Sequence, residues 1–272
     1  MNWLRNEAPT SLIIGLAITL IWLALAAFAP LLTPFDPIKI DAVNALLPPS
    51  AEHLLGTDSV GRDLLTRVLY GARMDLLMAV AGVTGPFVLG TFIGLLAGYS
   101  GGWLDTVLMR ILEVTISFPY FVLVIAIVAI MGPGLTSYIV SLTVVNWVTY
   151  ARLVRSETLV LGNADFVLAA RVLGFGRLRI MGRHIFPNAI VPSAVFLMTD
   201  AVLTIVLGSS LGFLGLGVQP PTPEWGVMIA EGRTYLGSAW WISFAPGVAL
   251  CSLAFGLSLI ADGVAHILDA EA

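Results

Sequence analysis

The segment Phe166 to Pro192, FVLAARVLGFGRLRIMGRHIFPNAIVP, gathers basic charge inside an otherwise apolar chain. It carries Arg171, Arg177, Arg179 and Arg183 and contains no acid. Hydrophobic stretches flank it on both sides. A basic, helix-prone segment in that setting is a structured loop, and its chemistry is docking. Asp200 is the only charged residue between His184 and Glu224 and falls inside the next apolar stretch. An ionised carboxylate near mid-membrane costs roughly 2.5–3.5 kcal/mol. Asp200 must therefore face a water-filled path, pair with a base, or stay protonated. Two readings stand: a cavity-lining residue on the translocation path that meets a cationic or amine-bearing substrate, or a structural carboxylate bonded to a neighbouring helix. Arg110 and Glu113 are three apart on one helical face, a spacing that favours an ion pair, and Glu113 is a second candidate for the path.

Other chemistry is missing. The single lysine, Lys39, is followed by Ile40, so no GxxxxGK[ST] phosphate loop exists in the chain. His53, His184 and His266 lie far apart and outside any HExxH pattern. No catalytic residue and no metal site are expected, and the chain is not expected to be an enzyme by itself. Cys251, the only cysteine, sits in an apolar run and reads as a small buried hydrophobe.

The elements that position these residues are membrane helices. The chain has 272 residues, 58% of them hydrophobic and 11% charged, against about 25% charged in soluble domains. Six spans are expected: Leu12–Leu32, Met74–Gly98, Trp103–Met131, Leu135–Ala151, Ala189–Gly217 and Ala239–Ala261. The first is long for a signal peptide and is read as retained. Between the first two, residues 33–73 form a polar segment with an irregular, proline-containing first half; a short helix is expected over Asp63–Met74. Gly90, Gly94 and Gly98 share one face of the second span, a stripe that admits another helix closely. Pro119 should kink the third span. A second polar loop covers Gln219–Gly237.

Six spans put both termini on one side. Arg5, Arg110, Arg152, Arg155, Arg171, Arg177, Arg179 and Arg183 fall on that side; Lys39, Arg62, Arg67, Arg73 and Arg233 fall on the other, diluted by acids. Positive residues remain inside, so both termini and the basic loop are expected in the cytoplasm.

The 166–192 segment resembles the EAA loop of ATP-binding-cassette importer permeases, in the form found in the dipeptide/oligopeptide/nickel subfamily. Ala169-Ala170, Gly174 four residues on, and His184-Ile185-Phe186-Pro187-Asn188 carry the resemblance. Leu168 stands where the broader family has glutamate, as is common in this subfamily, and Phe186 where leucine is usual. Leu55-Gly56-Thr57-Asp58, Gly61-Arg62-Asp63, Tyr70-Gly71-Ala72-Arg73, Tyr150-Ala151-Arg152 and Pro220-Pro221-Thr222-Pro223-Glu224-Trp225-Gly226 also look like the subfamily's "C"-type subunits.

The resemblance implies an all-α integral membrane protein of the bacterial inner membrane with the type I importer permease fold. The first span and start of the polar segment occupy residues 1–60, and a permease domain occupies 70–269 with its EAA loop at 164–188. It implies a homologous "B"-type permease, two cytoplasmic ATPase subunits that bind ATP and Mg, an extracytoplasmic binding protein and membrane lipid as partners, with no nucleic acid. Ala169, Ala170, Arg171, Gly174, Arg177, Arg179 and Pro187 then form a coupling helix and its rim. The other reading of the same loop is a surface helix held by anionic lipid. Alternating access would move the permease helices, with Pro119 and Gly208–Gly217 as places for bending. Peptides lead as substrate; nickel or a nickel chelate, and opine-like or sugar-phosphate conjugates, are alternatives, and a gradient-driven secondary transporter is the more distant one.

Overall fold

The computed structural model describes residues 10–269, so Arg5 lies outside the described residues. All regular structure within them is helical, apart from one isolated bridge between Thr57 and Asp63. The helices are α1 (Thr10–Leu32), α2 (Leu64–Ser100), α3 (Gly102–Ile116), α4 (Tyr120–Met131), α5 (Leu135–Leu161), α6 (Asp165–Val172), α7 (Arg177–Ile180), α8 (Phe186–Ala189), α9 (Val191–Phe213), α10 (Trp225–Gly232) and α11 (Trp241–Asp269).

α1, α2, α9 and α11 are long and apolar enough to cross a membrane. The remaining expected spans differ in an instructive way. α5 has 27 residues, about 40 Å of helix, but Asn146 and the Arg152–Glu157 stretch dilute its apolar character. The third span is broken rather than kinked: α3 and α4 meet at 89°. Ser117 ends α3, its N–H donating to the Glu113 carbonyl at 3.1 Å, and the Pro119 carbonyl accepts the first bond of α4 from Leu123 N–H at 3.0 Å. Lacking an N–H, Pro119 fits at a helix start, where that donor has no partner to lose.

The helix expected over Asp63–Met74 is not separate. It is the start of α2, which runs 37 residues without interruption. At about 55 Å it exceeds a hydrocarbon core of about 30 Å, so its early turns stand in the polar layer. Asp63 caps it, accepting from Thr66 N–H at 2.8 Å and Thr66 Oγ1 at 2.6 Å.

The chain divides into two compact units. One comprises the residues up to Val80, Met131–Tyr138 and those from Met198 onward. In it α1 and α11 approach through glycines: a Cβ on Gly15 would lie 2.6 Å from the Gly256 carbonyl, and one on Gly263 would lie 2.6 Å from Leu12 Cβ. Trp22 donates to Ser252 Oγ at 2.9 Å and meets Trp225 edge-on at 5.0 Å. Leu64, Val68, Ala72, Ile205, Met228 and Leu253 build the surrounding core. The polar segment is tied down by buried charge. Asp58 and Glu231 share the guanidinium groups of Arg62 and Arg67, and His53 Nδ1 pairs with Asp63 at 2.9 Å.

The other unit comprises Ala81–Ile130 and Ile139–Leu197. The glycine stripe of α2 lies against α5. A Cβ on Gly90 would fall 2.3 Å from the Trp147 carbonyl, and one on Gly94 2.4 Å from that of Ala151. α3 is held to α5 by a fork, Arg155 Nε and Nη2 each donating to Asp105 carboxyl oxygens at 2.6 Å. Gly94→Val should therefore abolish accumulation of folded protein, because backbone and not a flexible side chain opposes the new atoms. Gly247→Ala, with nothing within 4 Å of its Cβ, should be neutral or raise stability by up to about 1 kcal/mol. Membrane-fraction yield and melting temperature in detergent separate the two; a well-folded Gly94→Val protein would contradict the packing.

Candidate functional site

The basic loop folds into a short helix, a tight turn and a return path. Asp165 occupies the first turn of α6 and Arg171 the last, each at the end where the helix dipole favours its charge. α6 closes on Gly174, whose φ of +78° suits a residue without a Cβ. Gly174 N–H donates to the Arg171 carbonyl at 3.0 Å and Phe175 N–H to the Ala170 carbonyl at 3.1 Å. That pair of bonds is a Schellman closure, so the glycine picked out in the sequence is the residue that ends the helix.

One face of α6 anchors it. Val167 and Ala170 are buried with Leu95 of α2, Val154 of α5, and Ile180, Ile185 and Ala189 of the return path. The opposite face is open. Ala169 and Arg171 are exposed, and beyond them Val172 and Leu173 are 88% and 72% exposed.

The arginines have separate surroundings. Arg171 Nη2 donates to the Gly162 carbonyl at 3.1 Å. Arg179 lies over the Phe175 ring at 4.5 Å, and that ring stacks on His184 at 5.9 Å. Arg177 opens α7 and is exposed. A π turn, Met181–Ile185, carries the chain into α8, where Pro187 is exposed in the first turn.

The candidates for a translocation path are dispersed. Asp200 is buried on α9, 3% exposed, and engaged by other groups of the chain. Glu113 pairs with Arg110 Nη1 at 2.6 Å on an exposed face of α3, an arrangement worth at most about 1 kcal/mol. Pro119 is exposed at the α3–α4 break. Gly208 and Gly212 serve close approach: a Cβ on Gly208 would lie 2.7 Å from Met78 Cε, and one on Gly212 2.1 Å from Glu224 Oε2. Gly208 to Gly212 also gives Ser210 the GxSxG spacing of a hydrolase elbow. Ser210 instead lies within α9 with its hydroxyl donating to the Val206 carbonyl at 2.7 Å, and no strand leads into it.

A second polar cluster was not legible as one site. Glu224 is fully buried and caps α10, accepting from Gly226 N–H at 2.7 Å and Val227 N–H at 2.9 Å. Asp75, also buried, accepts from Trp225 N–H at 3.2 Å and Ser209 Oγ at 3.4 Å. The two carboxyl groups lie close enough to interact. Burial pushes the Glu224 carboxyl above its ordinary range, and the two backbone donors offset part of the rise. Asp75 and Glu224 are far apart in sequence; a buried acid in each polar loop was the only available signal.

Residues 90–271 match the family described as binding-protein-dependent transport system inner membrane component. The chain is 41% identical over 257 residues to the dipeptide transport system permease protein of Alkalihalophilus pseudofirmus, covering 94% of this chain and 84% of that protein. It is 39% identical to a di/tripeptide transport system permease protein of Pseudomonas aeruginosa, with 94% and 86% covered. It is 37% identical to a probable D,D-dipeptide transport system permease protein of Escherichia coli, with 99% and 90% covered. Among solved structures, a chain of an inward-facing methionine ABC transporter superposes with a TM-score of 0.58 at 20% identity, covering 74% of this chain and 95% of that one. A chain of an amino acid ABC transporter gives 0.55 at 19%, covering 76% and 94%.

Proposed function

This chain belongs to the family of binding-protein-dependent transport system inner membrane components, and from that premise we propose that it is the "C"-type permease subunit of a di- and oligopeptide importer. As a permease it forms part of an ATP-binding-cassette importer. A homologous "B"-type permease, two cytoplasmic ATPase subunits that bind ATP and Mg, and an extracytoplasmic binding protein complete the assembly. The basic loop and both termini face the cytoplasm, in keeping with its density of arginine. The peptide assignment is supported by the dipeptide and di/tripeptide transport named for its relatives.

The observation that carries the coupling role is the end of α6: Val172 and Leu173 bare, the turn closed at Gly174, and Val167 and Ala170 fixed in a core shared with α2 and α5. A groove in an ATPase subunit would take the bare end. The buried face would then pass the ATPase's movement to two membrane helices. Ala169 keeps the helix slim, and Arg171, Arg177, Arg179 and Pro187 form its rim. Rocking of those helices opens a path between the two permeases alternately to each side.

Reconstitution of the four kinds of subunit in proteoliposomes tests the assignment. Dipeptide supplied with the binding protein should accumulate only with ATP. Accumulation of nickel in place of peptide would move the substrate to the other branch of the subfamily. Uptake driven by an ion gradient without the ATPases would refute the importer assembly.

A further inference from the structure

The loop carries a concave face as well as the bare helix end. A cavity of about 700 Å³ lies between the last turn of α2 and the α6–α7 region. Tyr99, Ser100, Arg171 and Arg177 supply its polar lining, and Leu96 and Met181 are among its apolar residues. Two arginines therefore line one space. Among the described residues neither is in an ion pair. Among the described residues, Arg171 donates to the Gly162 carbonyl, and residues 166–192 offer no acid.

Such a space favours an anion, and the fork of an arginine matches phosphate oxygens. An inorganic ion would leave the apolar walls unused. A phosphate ester bearing a hydrocarbon chain would use both parts. The position agrees, because Ser100 ends a membrane-crossing helix. In the orientation proposed above, that end stands at the headgroup level of the cytoplasmic leaflet, where basic pockets beside membrane helices attract anionic lipids.

We propose that this cavity binds the phosphate group of an anionic phospholipid from the cytoplasmic leaflet. The inference rests on the orientation given under the proposed function. Arg171 and Arg177 hold the phosphate, the Tyr99 and Ser100 hydroxyls add donors, and Leu96 and Met181 meet an acyl chain. The lipid and the ATPase then grip the same turn from two sides, which makes coupling sensitive to leaflet composition. A docking loop and a lipid-held loop become two faces of one segment.

The test uses the assembled transporter, purified from membranes containing phosphatidylglycerol and examined by native mass spectrometry. Wild type should retain phosphatidylglycerol in preference to phosphatidylcholine. Arg177→Gln and Arg171→Gln should each lower that retention about tenfold, equivalent to about 1.4 kcal/mol. Retention that is absent, or equal in wild type and both variants, overturns the proposal. Loss of the ATPase subunits from Arg177→Gln with lipid retention unchanged also overturns it, assigning the guanidinium to the ATPase. Displacement of the lipid by millimolar inorganic phosphate alone would make free phosphate the occupant and overturn the lipid assignment. Arginine-dependent lipid retention in a complex that imports no peptide would leave this site standing while refuting the peptide assignment.

Discussion

Val172→Asp and Leu173→Asp, combined, should abolish ATP-driven uptake while leaving the permease as stable as wild type. Both side chains are largely exposed, at 88% and 72%, so within the chain their replacement removes little packing. Burying a residue of this size in a partner's groove contributes about 1.5–3 kcal/mol. Two of them, replaced by charges that resist desolvation, should weaken ATPase association by about a hundredfold or more. Val167→Asp is the contrasting change. Val167 is wholly buried in the local core, and an unpaired carboxylate there should unfold the loop and lower yield. Gly174 offers a graded version. Nothing lies within 4 Å of its would-be Cβ, so Gly174→Ala costs only the left-handed backbone, about 1 kcal/mol. Gly174→Val costs more and should separate ATP hydrolysis from uptake. Co-purification with the ATPase, hydrolysis rate and uptake are the readouts. Full uptake by the double aspartate variant would refute docking through this end of α6.

How much of this was legible in the sequence depends on whether the cause was local. Apolar length gave α1 and α9 within a few residues and the start of α11, which runs on to Asp269 beyond the expected end at Ala261, because a membrane helix satisfies its own backbone. Spacing gave the glycine stripe of α2, and α5 proved to be the helix it admits. Gly174 was picked out by the resemblance alone, and its positive φ shows why a glycine stands there. The early turns of α2 were expected only as a separate short helix, because Arg67 and Asp75 look like loop charges until Glu231 and Trp225, far along the chain, pair with or bond them. α10 was passed over inside a proline-rich stretch, since its cap, Glu224, is recognisable only once the carboxyl is seen on two backbone N–H groups. Pro119 was placed correctly but read as a kink. Whether a proline bends a helix or starts a new one depends on whether the preceding turn closes, and here Ser117 closes it.

Glu224→Ala should lower stability by about 2–4 kcal/mol. Roughly 1 kcal/mol is the lost cap, and the remainder is the penalty of leaving buried Asp75 without its partner, about 1–3 kcal/mol. Glu224→Gln should lose far less. Gly226 and Val227 bond different carboxyl oxygens, so the amide oxygen keeps one of the two cap bonds, and the amide nitrogen can donate to Asp75. The two variants also differ from wild type in pH response. Burial raises the Glu224 carboxyl in the folded protein above the unfolded value of about 4.3. The folded state therefore holds a proton that the unfolded chain releases, and stability falls as pH rises. The contribution is complete below about pH 4.3 and disappears as pH passes through the raised folded value. Melting temperature of wild type in detergent should accordingly decline as pH rises above about 4.3. The decline should be shallower in Glu224→Gln, which removes the titrating carboxyl. A wild-type slope retained in Glu224→Gln would mean that the buried Glu224 carboxyl is not the source of the pH dependence.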